Sequence, residues 1–474
     1  RPRRSPSDLA YQFGDLKLAG NFDWAQLISD TGYVRKSSDT FFDASSRLPG
    51  NGQTPAQTAQ IDYARSHTWS QELRLVSPDD SAHWQWVAGA AAFKQDVLFH
   101  EELPVSVALP LGLNQIEAAL GPALNAIPGL AQQIDANGQA LLALLETNAE
   151  IREYALFGDL TRRLGDSWEV SLGGRLYRTT SQGTARQEGL LLLAINQQPT
   201  HLIEGTLHEQ GFNPKASLMW HAGRDLIAYV SASKGFRVGG VQPGYSASGP
   251  KAPDFFKSDT LWNYEAGLRT QWFDRQLRAD ITGFYVTWKN PQTFQLGSSG
   301  LSSYLDNAGG VKNHGIEAAL QAVLPFGFLL NTSLCWTDTR TSKPFDSQGG
   351  EVAPGAQWPF APHWQTASSL AWMLPLGNWT LAPSVNYSTL SHAPTTLDPS
   401  AVQFVFGYSQ LDLQLSVNNA SLPWMPEFAL TLNNVRDKRG LVNRFDGGLV
   451  PGSGYTDVTY MRPRALTLHL AGHF

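Results

Sequence analysis

The side chains in this chain that could carry chemistry lie far apart. His221, His314, His363, His469 and His473 fall on separate segments. Cys335 is the one cysteine, which excludes a disulfide framework and a zinc ribbon. The sequence has no Gly-x-Ser-x-Gly elbow with placed partners and no His-Glu-x-x-His. These patterns speak against an enzyme and against a resident metal or cofactor. What remains is charge and aromatic rings. Arg175, Lys215, Glu265, Arg269 and Glu317 occupy the polar phase of alternating segments, where charge lines a water path or pairs with a neighbour. Tyr245, Phe255, Phe256, Tyr304, Trp358, Phe360 and Tyr455 fall in connections. Rigid rings there could hold a flat ligand at low entropic cost. Lys251, Lys257, Arg340 and Lys343 could attract an anion. Asp254, Asp259 and Asp338 stand among them, so no clear positive funnel emerges.

The segments that must position these residues have a period of two. Leu411, Leu413, Leu415 and Val417 alternate with Asp412, Gln414 and Ser416. Successive side chains of a strand point to opposite faces, so such a run has one greasy face and one polar face. The same phase separates Trp168, Val170, Leu172 and Leu176 from Glu169, Ser171 and Arg175. It separates Trp262, Tyr264, Ala266 and Leu268 from Asn263, Glu265 and Arg269. Ile316, Phe428 and Leu466 begin similar runs, whereas Phe284, Val286 and Trp288 spoil the polar side of theirs. About 17 segments of roughly 10–14 residues follow this rule, a length that suits a tilted membrane-spanning strand. The longest apolar run, Leu190 to Ile195, is far short of the ~18 residues a membrane helix needs.

The connections alternate between short and long. Residues 20–23, 77–80, 164–166, 222–224, 273–275, 325–327 and 375–377 make tight turns. The stretches 37–65, 100–152, 181–206, 238–258, 291–310, 341–360, 391–406 and 437–460 are long. Long loops on one side only are the mark of an outer-membrane barrel, whose lipid face is apolar and whose lumen is polar. Within 108–150, Leu113, Ile116, Leu120, Leu124, Ile127, Leu130, Ile134, Leu141 and Leu145 recur at three- and four-residue spacing. That spacing predicts a helical insertion in an extracellular loop. Charged residues make up only 16% of the chain, below the roughly 25% of soluble proteins. The net charge of -6 gives no overall basic field for nucleic acid.

The order and spacing of several short stretches resemble the β-barrel domain of TonB-dependent outer-membrane receptors. They include Ser70-Gln71-Glu72-Leu73-Arg74-Leu75, Tyr154-Ala155-Leu156-Phe157-Gly158-Asp159 and Phe212-Asn213-Pro214-Lys215. Trp262-Asn263-Tyr264-Glu265-Ala266-Gly267, Asp306-Asn307-Ala308-Gly309 and Asn433-Asn434-Val435-Arg436-Asp437 follow, and Phe474 ends the chain. The resemblance implies an all-β, transmembrane antiparallel barrel in the Gram-negative outer membrane. It implies 22 strands, of which residues 1–474 hold about 17, so the chain is expected to be a partial barrel. The plug domain, through which a TonB-type energy-coupling protein would act, is expected to be missing, together with the first strands. By the same resemblance, Phe474 is an assembly signal, the charged lumen residues face the plug or a water path, and the partners are outer-membrane lipid and an extracellular ligand of the iron–siderophore class. The alternatives are a passive porin-like channel and a non-functional truncated receptor. A surface adhesin or lipase would need repeats or a catalytic constellation that the sequence does not display.

Overall fold

The computed structural model describes residues 6–43, 57–78, 84–106, 139–190, 192, 200–242, 253–296, 303–347, 350–397, 403–419, 421–422, 426–446 and 456–472. Among the described residues, no helix is long and apolar enough to cross a membrane. Among the described residues seventeen long strands carry the fold. They are β1 (Ser7–Asn21), β2 (Gln26–Asp43), β3 (Gln57–Val76), β4 (Trp84–Ser106), β5 (Gln139–Leu164) and β6 (Trp168–Glu188). Next come β7 (Thr200–His221), β8 (Leu226–Arg237), β9 (Asp259–Trp272), β10 (Leu277–Lys289), β11 (Gly310–Leu324) and β12 (Phe328–Thr341). The last five are β13 (Trp364–Trp372), β14 (Trp379–Leu390), β15 (Tyr408–Asn418), β16 (Glu427–Asn433) and β17 (Ala465–Ala471). Each pairs antiparallel with the next, and Leu374–Leu376 continues the line of β13 against β14. β1 pairs with β2 and β17 with β16; among the described residues no pairing joins β1 to β17.

Directly opposed residues share a face, so the register assigns both faces without a gap. One lateral row runs Leu73, Ala90, Leu156, Leu176, Phe212 across β3–β7. The adjoining row on the other face runs Arg74, Gly89, Phe157, Arg175, Asn213. The first face stays exposed although it is apolar: Leu156 is 62%, Leu176 56% and Val230 50% exposed. An apolar band of this extent needs a non-aqueous neighbour. Polar groups on it pair in places. Thr31 donates to Gln71 at 2.6 Å, Gln71 donates to Ser29 at 3.0 Å, and the hydroxyls of Thr332 and Ser368 lie 2.7 Å apart. Unmatched, each would cost several kcal/mol in hydrocarbon, on the order of 2–7.

Aromatic rings border the band. Near the short connections, Trp168 stacks on Trp220 with centroids 5.9 Å apart, and Phe328 on Trp372 at 5.3 Å. Near the long ones, Trp262 stacks on Tyr264 at 5.9 Å, and Trp336 meets Trp364 at 6.3 Å. From Trp262 to Trp272 the strand advances about 33 Å, or about 25 Å across a layer at a tilt near 40°. That height matches the apolar belt of a membrane barrel. The turns at the lower rim are tight enough to force Phe273, Asp274 and Arg275 to positive φ (55°, 52° and 68°).

The structure corrects two expectations. Residues 139–150, expected to be helical, form the upper part of β5, with Leu141 opposite Pro104 and Leu145 opposite Glu101. Leu142, Ala143 and Leu145 are all buried, and the ladder is irregular at Leu142, where Pro104 faces Leu141 and Leu103 faces Ala143; the period of two breaks there and the leucine spacing imitates a helix. The rest of the expected insertion, residues 108–138, lies outside the described residues. The second correction concerns strand length. β2 to β7 continue well past the aromatic border, up to Asp43, Ser106 and Glu188. Above the border polar residues such as Thr179, Ser181 and Gln187 are buried, so hydropathy alternation no longer marks the strand there.

Candidate functional site: the polar face and its loop rim

The polar face carries charges, several of them paired. Arg175 donates to Glu153 Oε1 from Nε at 3.1 Å and from Nη2 at 2.5 Å. Lys215 stands 4.0 Å from Asp159. Glu265 accepts from Asn263 at 2.6 Å. The Arg269 guanidinium lies over the Tyr229 ring at 5.3 Å, and the hydroxyls of Tyr229 and Thr282 are 3.0 Å apart. Glu317 is opposed to Cys335. Glu265, Arg269 and Glu317 therefore meet, with Asp280 and Phe284, around one hollow of about 950 Å³. Arg175 lines a separate hollow of about 570 Å³ with Phe157, Glu72 and Arg74. Of the five charged residues singled out in the sequence, three share a cavity and two do not.

The apolar residues that disturbed the polar phase of β10 have a role here. Phe284 covers Gly315, where an added Cβ would meet both its ring and the Trp336 carbonyl oxygen. Trp288 carries the Arg237 guanidinium over its ring at 4.8 Å and meets Trp358 at 5.8 Å. Trp358 thus joins a rim at the long-loop end.

The other loop aromatics divide. Phe255, like Ala149, packs on the cluster of Ala185, Ile203 and Val241. Phe256 pairs with Gly240 in the short hairpin of residues 240–241 and 255–256. Tyr304 is wholly buried and its hydroxyl has no partner among the described residues; burial holds its pKa above the usual 10.0. Tyr304 is thus enclosed within the loops, whereas Phe255 is only partly buried. Phe360 is 53% exposed at a φ of 55°, its N–H donating to the Pro394 oxygen at 2.8 Å. Tyr245, Tyr455 and Phe474 lie outside the described residues.

One polar cluster at the base of the long connections was not legible as a site in the sequence. Asp259, 2% exposed, accepts at Oδ2 from Arg237 Nε at 2.9 Å and from the Gln292 N–H at 3.1 Å, and Arg237 Nη2 contacts the same oxygen. Gln292 Nε2 donates to the oxygens of Val238 at 3.0 Å and Lys257 at 3.1 Å. Asn307 Nδ2 reaches Lys257 O at 2.9 Å and Asn290 O at 2.8 Å. Buried Gln242 exchanges two bonds with the Leu305 backbone, at 2.7 and 2.9 Å. Glu209 of β7 accepts from the N–H groups of Ser258 and Gly239. Together they tie the connections 238–258 and 290–309 into one unit. The only signal was Asn307 within Asp306-Asn307-Ala308-Gly309; a lone Asp or Gln at a strand end looks like any solvated residue. Burial also holds the Asp306 carboxyl above its usual range, against the N–H of Asn307.

The arrangement is suited to lining, pairing and gripping. Among the described residues no group of three His, Cys, Asp or Glu could hold a metal ion. The fold is shared with the ferric yersiniabactin uptake receptor FyuA from Yersinia pestis, at a TM-score of 0.74 and 15% identity over 99% of this chain and 63% of that one. The siderophore receptor PiuA from Acinetobacter baumannii aligns at 0.70 and 15% identity, covering 98% of this chain and 65% of its own. The copper transporter OprC aligns at 0.69 and 13%, over 100% of this chain and 67% of that one. This chain spans less than two thirds of the length of the first two, and at these identities the likeness concerns the fold alone. A family model described as TonB dependent receptor-like, beta-barrel, matches residues 3–435, and the chain therefore belongs to the TonB-dependent receptor β-barrel family.

Proposed function

We propose that the chain forms the wall and outer mouth of an energy-coupled importer in a Gram-negative outer membrane. Its cargo in this reading is a large, scarce ligand of the ferric siderophore class. Membership of the receptor family over residues 3–435 is the observation that carries it. The exposed apolar band bounded by Trp and Tyr supports a lipid neighbour. The paired charges of the opposite face support a wet interior, where a plug domain coupled to a TonB-type protein would sit. The long connections at one end supply the ligand-facing surface, with Trp358 and Phe360 as its best-placed rings.

The test is uptake by the whole gene product in cells starved of iron. Deletion should abolish energy-dependent entry of radio-iron supplied as one class of chelate, and re-expression should restore it. Uptake unaffected by deletion would sink the reading, and free ion conduction through liposomes without an energised inner membrane would support a passive channel instead. Orientation is read separately, in a Cys335→Ser background. Lys257→Cys on the long-loop side should react with an impermeant thiol reagent on intact cells, and Asp274→Cys should not.

A further inference from the structure

One row of opposed residues crosses the polar face of β5–β7 beside the short hairpin of residues 240–241 and 255–256. Glu153 faces Thr179, and Thr179 faces Glu209. Opposed side chains share a face, and two strand spacings set the backbones of the two glutamates about 10 Å apart, with Thr179 between them. Thr179 is 1% exposed, and its hydroxyl has no partner among the described residues. Tyr177, one row below, leans toward β7. A Cβ at Gly211 would meet the Tyr177 hydroxyl at 2.5 Å, and Gly211 lies two residues from Glu209 on the same face. Two carboxylates, a buried hydroxyl and a phenol thus stand together.

Acceptors outnumber donors in this group. Glu153 takes both of its bonds from Arg175 at Oε1, which leaves Oε2 without a partner among the described residues. Glu209 accepts one N–H at each oxygen, from Ser258 at 3.0 Å and from Gly239 at 3.3 Å. A carboxylate has about four lone-pair sites, so each keeps about half of its own. The protons of the two hydroxyls are too few to fill them. Charge is unbalanced in the same sense. The adjoining rows, Ile151–Ser181–Leu207 and Ala155–Tyr177–Gly211, are uncharged, so on these strands two carboxylates face the one guanidinium of Arg175. Near the hairpin stem, Arg237 is already held by Asp259, and Lys257 is exposed.

We propose that this row binds a monovalent metal cation of the sodium type. Every donor is an oxygen, which suits a hard ion. One surplus negative charge and two neutral hydroxyls suit a single positive charge. Calcium takes about six to eight oxygens, and no group of three His, Cys, Asp or Glu among the described residues could hold a metal. The ion is held by Glu153 Oε2, a Glu209 oxygen, the Thr179 hydroxyl and the Tyr177 phenol oxygen. Glu209 is also the acceptor for Gly239 and Ser258, where the two stems of the hairpin meet the wall. An ion that fixes Glu209 therefore fixes the hairpin, and sodium sets the order of this side of the mouth whichever cargo passes.

The whole gene product in mild detergent is held at constant ionic strength while sodium chloride replaces choline chloride. Amide exchange is followed at residues 238–242 and 254–258. Sodium at about ten times its dissociation constant should raise protection there about tenfold, as mass action requires. The sodium nuclear resonance should broaden when the protein is added. Thr179→Val and Glu153→Gln should each remove both responses, the first by deleting the hydroxyl and the second by deleting the charge. Thr206→Val, on the outward face of β7, should keep both. Equal protection in sodium and choline, or responses that survive both substitutions at the site, overturn the proposal. A response to calcium at far lower concentration than to sodium overturns the monovalent assignment. Should Thr179→Val fail to fold, the sodium resonance with Glu153→Gln decides: broadening as in the unaltered protein overturns the site, and its loss supports it.

Discussion

Removing Asp259 should loosen one loop unit and leave the wall intact. The carboxylate is 2% exposed, while the Arg237 side chain it holds is 50% exposed. In Asp259→Ala the Gln292 N–H loses its acceptor in a buried place, which costs about 1–3 kcal/mol. The ion pair adds little, about 1 kcal/mol at most, because solvent screens and rehydrates the half-exposed guanidinium. The sum, about 3 kcal/mol, corresponds to roughly a hundredfold loss of protection in amide exchange at residues 290–296 and 238–242. The opposite truncation should be worse. Arg237→Met leaves a buried carboxylate without its counter-charge, a loss of about 3–5 kcal/mol. The double variant should then be less damaged than Arg237→Met alone, a sign reversal that no account based on lost contacts yields. Exchange is measured by mass spectrometry on protein in detergent, with amides of β5 and β6 around Leu156 and Leu176 as internal control. A change under about threefold at 290–296, equal loosening of the control strands, or a double variant worse than both singles would refute the reasoning.

Three further outcomes follow from the geometry. Gly315→Ala should lower the melting temperature of the folded band in heat-modified electrophoresis, since its Cβ would press on the Phe284 ring and the Trp336 carbonyl. Overpacking of this kind costs about 1–3 kcal/mol, and unchanged melting would mean that the close approach is not real. A double-mutant cycle on Glu153→Gln and Arg175→Met should give a coupling of about 1 kcal/mol in urea titration, because Arg175 remains partly solvated; a coupling near zero would reduce the pair to a crossing of side chains. The Asp437 carboxyl accepts from the Arg464 N–H at 2.9 Å, which, helped by Arg439 and Arg464, holds its pKa below 3.8. A depressed carboxylate contributes order above its unfolded value and loses it as pH falls through the folded one. The Arg464 amide should therefore exchange faster only on the acid side of 3.8, and Asp437→Asn should flatten that step.

Where one face met lipid-like surroundings and the other water, the sequence was easy to read. Trp168, Val170, Leu172 and Leu176 alternate with Glu169, Ser171 and Arg175 because each side chain meets only one medium. Of the 17 expected segments, each has its long strand in the fold. Legibility failed where that asymmetry ended. At the top of β5, Leu142, Ala143 and Leu145 are buried across an irregularity in the ladder, so the pattern imitates a helix. At the top of β6, Thr184 and Arg186 face outward into water and the strand is silent in hydropathy. The loop cluster was hidden for another reason. Asp259 and Gln292 are 33 positions apart, and nothing local in either marks a shared hydrogen bond. Tyr304 shows the converse error: an aromatic in a connection looks available until its environment shows it wholly buried.

The distribution of burial has a consequence for how such a chain stays folded. Few large apolar side chains are buried, and most of those that are, such as Leu142, Leu190, Ile203 and Tyr304, lie in the upper wall and loops. The middle of the sheet has no core in the sense of a soluble domain. Its strands are held by continuous ladders, 21 residue pairs between β5 and β6 alone, and by paired charges such as Arg175–Glu153. In water the exposed row of Leu156, Leu176 and Phe212 would favour collapse onto any apolar partner. In hydrocarbon the same row costs nothing, whereas breaking a ladder leaves N–H and C=O groups without partners. The surrounding medium thus replaces the core as the source of stability. The upper wall, which does have buried side chains, is the part that should hold its loops in place whatever lipid lies below it.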